Sequence, residues 1–115
     1  MGVNINAMRG HYTRSLEGDL ELASKIGTFT AMAMVRTVTA DLDYYHTMAV
    51  WAFAHILDVK QARNERLIVY PREVAEVFGC RDGRMADYLR EVARTTKLVG
   101  GTSQAGYSPG SDLAH

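Results

Sequence analysis

The stretch REVAEVFGCRDGRMADYL (residues 72–89) constrains the fold of this 115-residue chain more than any other. Its apolar residues recur at helical spacing on both sides of a short polar turn, which predicts two short helices. Ala75 is small enough for the two helices to cross closely, and Gly79 accepts the left-handed backbone conformation that a tight corner needs. The second helix has an apolar face formed by Met85, Tyr88 and Leu89. The stretch therefore predicts a corner at which each helix buries one face and exposes the other.

The chain upstream of this corner has mostly helical patterns. Residues 44–62 predict a long helix, capped by Asp41 or Asp43, whose middle is apolar on every side and is therefore expected to be buried. Thr, Val and Phe in TFTAMAMVRTVTA (residues 28–40) suit a strand, but the Ala and Met residues favour a helix, which we predict. Residues 15–27 predict a short helix and residues 1–14 a mobile arm.

Short β-structure is predicted on both sides of the corner. RLIVY (residues 66–70) is typical of a strand, and Pro71 suits the first turn of the helix that follows. After the corner, KLV predicts a strand and GGTSQAGYS the loop of a hairpin. The last seven residues, PGSDLAH, predict a polar tail that frays. We therefore expect one domain over residues 1–115 that is mostly α with a small β-hairpin, residues 109–115 being its tail.

The charge of the chain is uneven although its formal net charge is zero. Residues 60–97 hold nine Lys and Arg against six Asp and Glu, whereas residues 1–59 hold four basic and six acidic side chains. The positive excess therefore lies on the half that contains the corner. A mild local excess of this kind is compatible with phosphate binding, which needs local positive potential.

Several classes of site are disfavoured by the residue types. A single cysteine, Cys80, excludes an intrachain disulfide and a cysteine-cluster zinc site. His46 and His55 are nine residues apart and do not share a helix face, so we predict no metal and no cofactor. No nucleophile with a suitably spaced base and no phosphate-binding Gly-rich loop is evident, so no enzyme is predicted. The sequence has no signal-peptide pattern, and its most apolar run, residues 48–57, is too short to cross a bilayer. We therefore predict a cytoplasmic location without membrane binding.

From residue 44 to about residue 108, the predicted order of elements resembles the winged helix-turn-helix family of DNA-binding domains. That order is long helix, short strand, helix, turn, helix, strand and Gly-rich loop. Ala75 matches the small residue at the helix crossing and Gly79 the glycine of the turn, while the apolar positions of the family pattern are matched by Val74, Phe78, Met85, Tyr88 and Leu89. The resemblance implies a winged helix-turn-helix over residues 44–108, with residues 15–43 as a helical N-terminal extension.

The same resemblance implies a role for individual residues. The recognition helix, about residues 83–95, would enter the major groove and bring Arg81, Arg84 and Asp87 close to base edges. Contacts to the DNA backbone would come from Arg72, Arg90, Arg94 and Lys97, and from Thr102, Ser103 and Gln104 at the tip of the wing. The implied function is a sequence-specific regulator of transcription that binds double-stranded DNA, expected as a homodimer with two half-sites.

Two other functions stay open on the sequence alone. Asp82 and Asp87 bring negative charge to the face that would meet phosphates, and the wing GGTSQAG has no Lys or Arg. These features favour a winged-helix docking module or a small inhibitor or adaptor, for example from a phage or plasmid, that binds a protein partner instead of DNA. A fragment of a replication initiator would share the DNA contacts, but it would normally be part of a longer chain.

Overall fold

The computed structural model describes residues 27–78 and 84–114. Within these ranges lie four helices, which we label α1 (Thr28–Thr37), α2 (Tyr44–Ala62), α3 (Pro71–Phe78) and α4 (Arg84–Thr95). They are followed by two strands, β1 (Val99–Thr102) and β2 (Gly106–Pro109), which form an antiparallel hairpin. The described chain is therefore mostly helical with a small hairpin, as the sequence predicts. None of these helices is long and apolar enough to cross a bilayer.

Helix α2 is the centre of the hydrophobic core. It begins after Asp43, whose carboxylate accepts a hydrogen bond from the backbone N–H of His46 at 2.9 Å, so Asp43 is the cap and Asp41 is not. Every residue from Met48 to Ala54 is buried, which confirms the prediction from its all-round apolar sequence. A helix that is buried on every side needs neighbours on every side, and α2 packs against α1, α3 and α4.

Hydrogen bonds attach helix α1 to α2 at both ends of α1. At its start, the backbone N–H groups of Phe29 and Thr30 donate to the carboxylate of Asp58 in α2, at 2.8 and 2.9 Å. Near its end, the indole N–H of Trp51 donates to the hydroxyl of Thr37 at 2.9 Å. These bonds and the buried apolar side chains of α1 explain why residues 28–37 are helical despite their β-branched content.

The predicted strand RLIVY is reduced to a single bridge. Val69 and Tyr107 exchange two backbone hydrogen bonds of 2.8 Å each, and no longer strand forms here. The strand cannot extend because Pro71 already begins α3 and lacks an N–H, while the N–H of Tyr70 donates to Glu73 at the start of that helix. The prediction of a five-residue strand was therefore wrong, although its fourth residue, Val69, does pair with the hairpin.

The predicted fraying tail is held by backbone hydrogen bonds through residue 114. Leu113 is fully buried, and the N–H of Asp112 donates to the carbonyl oxygen of Lys97 at 3.0 Å. The N–H of Gly110 donates to Leu98 at 3.1 Å, and a Cβ at Gly110 would overlap the backbone of Lys97. This close approach explains the glycine and shows why the prediction from a polar composition was wrong.

Some predictions fall outside the described residues. These are the arm over residues 1–14, the helix from residue 15 as far as residue 26, and the corner loop of residues 79–83, which includes Gly79, Cys80, Arg81 and Asp82.

Candidate nucleic-acid interface

Helix α4 is held by one face and exposes the other. Leu89 and Val92 are fully buried against the core, and Tyr88 and Ala93 pack beside them. The opposite face carries exposed charged side chains from Arg84, Asp87, Arg90 and Arg94. The buried stripe fixes the rotation of α4 about its axis, so it also fixes which charged residues point outward.

A groove lies between α4 and the hairpin, and we call it the hairpin groove. It has a volume of about 550 Å³ and is lined by Arg90, Ala93, Arg94, Gly101, Thr102, Ser103, Gln104 and Tyr107. Five of the residues predicted to contact a DNA backbone therefore line one surface: Arg90, Arg94, Thr102, Ser103 and Gln104. No carboxylate is among the described residues that line it, and its two charged side chains are the arginines Arg90 and Arg94.

The tip of the hairpin is shaped by its own hydrogen bonds. The hydroxyl groups of Ser103 and Tyr107 are 2.9 Å apart, and the backbone N–H of Ala105 donates to the Thr102 hydroxyl at 3.1 Å. Gly101 and Gly106 have positive φ angles of 107° and 90°, a conformation that glycine adopts without strain. The polar atoms at the tip are thus held by local bonds, and Tyr107 connects the tip to the core.

The arginines of the hairpin groove form ion pairs along α4. Arg90 pairs with Asp87 at 3.1 Å, and Arg94 pairs with Glu91 at 2.6 Å. The hydrogen bonds from Arg94 lower the pKa of the Glu91 carboxyl, and the same contact raises the pKa of Arg94. Because the four side chains are between 45% and 72% exposed to water, these pairs are weak, and a phosphate oxygen can replace either carboxylate as the arginine's partner.

Two further residues predicted to contact the DNA backbone, Arg72 and Lys97, are not among those that line the hairpin groove. The guanidinium of Arg72 lies 4.8 Å from the centre of the Tyr70 ring at the start of α3. Lys97 lines a different groove of about 580 Å³, at the ends of α1 and α4, together with Arg36, Arg94 and two aspartates, Asp41 and Asp112. Arg36 was not predicted from the sequence, because it lies in the part of the chain that matches no family pattern.

The other side of α4 is acidic. A groove of about 360 Å³ is lined by Asp41, Leu42, Asp43, His46, Glu91, Thr95 and Thr96, and we call it the acidic groove. The backbone N–H of His46, followed by its ring nitrogen, donates to Asp43 and lowers the pKa of that carboxyl. With three carboxylates and no Lys or Arg in its described lining, this groove repels phosphate. A nucleic acid on α4 would therefore lie towards the hairpin.

An exposed aromatic cluster borders the acidic groove. Tyr45 stacks on Tyr88 with ring centres 6.2 Å apart and an angle of 13° between the planes, and Tyr44 meets Tyr45 edge to face at 5.3 Å. The His46 ring lies 4.9 Å from Tyr88. Tyr44 and Tyr45 are about half exposed. The sequence shows part of this cluster as the pair of tyrosines directly after the cap of α2. The cluster itself could not be predicted, because its third tyrosine, Tyr88, comes from a helix that is distant in sequence.

Among residues 27–78 and 84–114, no group of three or more His, Cys, Asp or Glu side chains could hold a metal ion. Of the three residues predicted near base edges, Arg84 and Asp87 lie on the exposed face of α4, and Arg81 is outside the described residues. No protein-family model, curated protein or solved structure matches the chain.

Proposed function

We propose that the chain is a winged helix-turn-helix protein that binds double-stranded DNA in a sequence-specific manner and regulates transcription. In this proposal α4 enters the major groove, and the hairpin is the wing that contacts the backbone beside it. Arg84 and Asp87 face the base edges, and Arg90 and Arg94 bind phosphates.

The hairpin groove is the observation that carries this proposal. It brings two arginines of α4 next to the hydroxyl and amide side chains of the hairpin tip, with no carboxylate in its described lining. Guanidinium, hydroxyl and amide groups are the side chains that commonly bond to phosphate oxygens. The acidic groove on the other side of α4 restricts a polyanion to the hairpin side, which gives the proposed complex one orientation.

The topology also supports the proposal. The described order is long helix, single bridge residue, two helices and a hairpin, and the bridge joins Val69 to the second strand of that hairpin. This order matches the winged helix-turn-helix pattern that the sequence resembles. The bridge holds the hairpin next to the start of α3. The proposed wing is therefore attached directly to the segment that leads into the two helices of the corner.

Salt-dependent binding to a random duplex tests the proposal. Because each neutralised phosphate releases counterions, the logarithm of the affinity should fall with the logarithm of salt by about 0.9 per phosphate contact. Arg90→Ala and Arg94→Ala should each lower this slope by about 0.9. Arg63→Ala removes an exposed arginine at the end of α2 that lines neither the hairpin groove nor the acidic groove, and it serves as the matched control with an unchanged slope.

Selection of bound sequences from a random duplex pool then tests base reading. Arg84→Ala should reduce the sequence preference, at a cost of about 1–3 kcal/mol of discrimination, while Arg72→Ala should weaken all sequences alike. If the wild-type chain does not bind duplex DNA even at low salt, the proposal is wrong.

A protein-docking module is the second candidate function, and two observations favour it. The ion pairs on α4 leave its outer face nearly neutral, since Arg90 and Arg94 each have a carboxylate neighbour. In addition, Tyr44 and Tyr45 expose aromatic surface of the kind that is enriched at protein interfaces. Absence of duplex binding, together with a partner whose affinity depends on Tyr45, would support this function.

A further inference from the structure

A second groove meets the hairpin groove at the last turn of α4. It has a volume of about 580 Å³ and lies where α1 and α4 end, and we call it the helix-end groove. Arg94 lines both grooves, so the two surfaces adjoin at its side chain. The helix-end groove adds two further cations, Arg36 in the last turn of α1 and Lys97 just after α4. Together with Arg90, four cationic side chains therefore border one continuous surface.

Arg36 and Lys97 differ from the arginines of the hairpin groove in their partners. Arg90 and Arg94 each form an ion pair with a carboxylate of α4. Arg36 and Lys97 are both exposed, and neither forms an ion pair with any residue that the structure describes. A phosphate that binds to them displaces no carboxylate, so the contact costs only the loss of bound water and of side-chain freedom.

Two carboxylates also line the helix-end groove. Asp41 is shared with the acidic groove, and Asp112 lies beside Lys97, to whose carbonyl oxygen its backbone N–H donates at 3.0 Å. The charged side chains of this groove are thus three cations and two carboxylates. Asp112 opposes any phosphate that approaches Lys97, which provides a test of opposite sign to the removal of a cation.

The length of α4 brings its last turn to the level of the DNA backbone. Arg84 and Arg94 are ten residues apart, which corresponds to about 15 Å along a helix axis. The major groove is about 12 Å wide and about 8.5 Å deep. When the first turn of α4 reads base edges and the helix points into the groove or crosses it, the last turn lies beside the phosphates that border the groove. The helix-end groove adjoins that turn.

We propose that Arg36 and Lys97 bind backbone phosphates of the duplex that α4 reads, next to the phosphate bound by Arg94. The resemblance already implies a backbone contact for Lys97, and the new element is Arg36. Helix α1, which precedes the part of the chain that resembles a winged helix-turn-helix, then takes a direct part in binding. This inference rests on the proposed function and extends its contact surface.

The salt dependence of binding to a random-sequence duplex is the first test. Arg36→Ala should lower the slope by about 0.9 and the affinity at about 0.1 M salt by about eight-fold, which is the effect of one phosphate contact. Arg36→Lys keeps the charge and should keep the slope. Arg63→Ala is the matched control, because Arg63 is also an exposed arginine at a helix end but lines none of the three grooves.

Removal of a carboxylate should have the opposite effect. Asp112→Asn should raise the affinity for the same duplex several-fold at low salt, because it removes a negative charge beside Lys97. The Asp112 side chain makes no hydrogen bond to the described residues, so the substitution should leave thermal stability unchanged. A change in affinity without a change in stability separates direct electrostatics from an effect on folding.

Affinity cleavage shows where α1 lies on the duplex. Arg36→Cys in a Cys80→Ser background, conjugated to iron–EDTA, should cleave the selected duplex at the backbone beside the site that α4 reads. The same conjugate at Arg63→Cys should give no cleavage above that of free iron–EDTA.

The results distinguish failure of this inference from failure of the proposed function. If the wild-type chain binds duplex DNA and Arg90→Ala and Arg94→Ala lower the slope, but Arg36→Ala behaves like Arg63→Ala, the inference is wrong and the proposed function stands. An unchanged or lowered affinity of Asp112→Asn, or a lack of cleavage from position 36, also counts against the inference. If the wild-type chain does not bind duplex DNA at low salt, both are wrong.

Discussion

Replacing Asp58 by alanine tests how α1 is attached to the rest of the chain. The carboxylate of Asp58 accepts three hydrogen bonds from α1: from the N–H of Phe29 at 2.8 Å, and from the N–H and hydroxyl of Thr30 at 2.9 and 2.6 Å. Gly27 occupies the cap position of α1 but has no side chain that could accept these bonds. Asp58 therefore caps the start of α1, although it lies 28 positions from Thr30 in sequence.

The size of the effect follows from these three bonds. Removing an ordinary capping side chain costs about 0.5–2 kcal/mol. Bonds to a charged acceptor are stronger than neutral ones, at about 1.5–3 kcal/mol each, although part of each is recovered when water takes the place of the lost acceptor. Because the site is part-buried, we expect Asp58→Ala to lower the free energy of unfolding by about 2–4 kcal/mol. Asp58→Asn keeps one carbonyl oxygen, so it should cost about half as much.

The chain contains its own reporter for the measurement. Trp51 is the single tryptophan, and its indole N–H donates to Thr37 of α1 at 2.9 Å. Urea unfolding followed by tryptophan emission therefore reports on α1 as well as on the core. If α1 detaches before the core unfolds, the Asp58→Ala variant should show an early red shift that circular dichroism does not match.

The matched control is Asp112→Ala, which removes an exposed carboxylate that makes no side-chain hydrogen bond to the described residues. It should change the free energy of unfolding by less than about 0.5 kcal/mol. The reasoning is refuted if Asp58→Ala costs no more than this control and leaves the emission of Trp51 unchanged. In that case α1 would be held by its apolar contacts alone.

Three further changes test other parts of the structure. Thr37→Val should cost about 1–3 kcal/mol in urea unfolding, because it removes the buried hydroxyl that accepts the hydrogen bond from the indole N–H of Trp51, whereas Thr37→Ser should cost less. The pKa of Asp43 and of Glu91 is lowered in the folded chain, so the folded chain binds fewer protons than the unfolded chain. Thermal stability should therefore be full above about pH 4.5 and should fall as the pH decreases further. This fall should be less steep in the Asp43→Asn variant. Leu113→Ala should lower the free energy of unfolding by about 2–5 kcal/mol, since the side chain is fully buried, and a loss below about 0.5 kcal/mol would mean that the tail frays after all.

The helices were predictable because their signals are local and periodic. The bounds of α2 agree with the prediction of residues 44–62, since a capping aspartate begins it and a long apolar run continues it. Helix α3 begins at Pro71, where the ring of proline suits the first turn. The hairpin followed from its glycines, two of which have positive φ.

The parts that the sequence did not predict depend on contacts between distant residues. Val69 is in a bridge only because Tyr107 lies beside it, and Leu113 is buried only because Gly110 lets the chain turn back onto Lys97. The candidate site divides in the same way. The exposed charges of α4 follow from helical spacing, but the separation into a hairpin groove and an acidic groove needs the packing of α2 and the hairpin against α4.

The pairing of Val69 with Tyr107 has a consequence for the entropy of binding. Tyr107 is held to Val69 by two backbone hydrogen bonds, and its hydroxyl reaches Ser103 at the tip of the hairpin. The tip thus loses much of its conformational freedom when the chain folds, and little remains to be lost when a ligand enters the hairpin groove. Preorganised surfaces bind more tightly than flexible ones with the same contacts. Tyr107→Phe removes only the hydroxyl and leaves the charged side chains of the groove in place. It should therefore lower the affinity of this groove for any ligand.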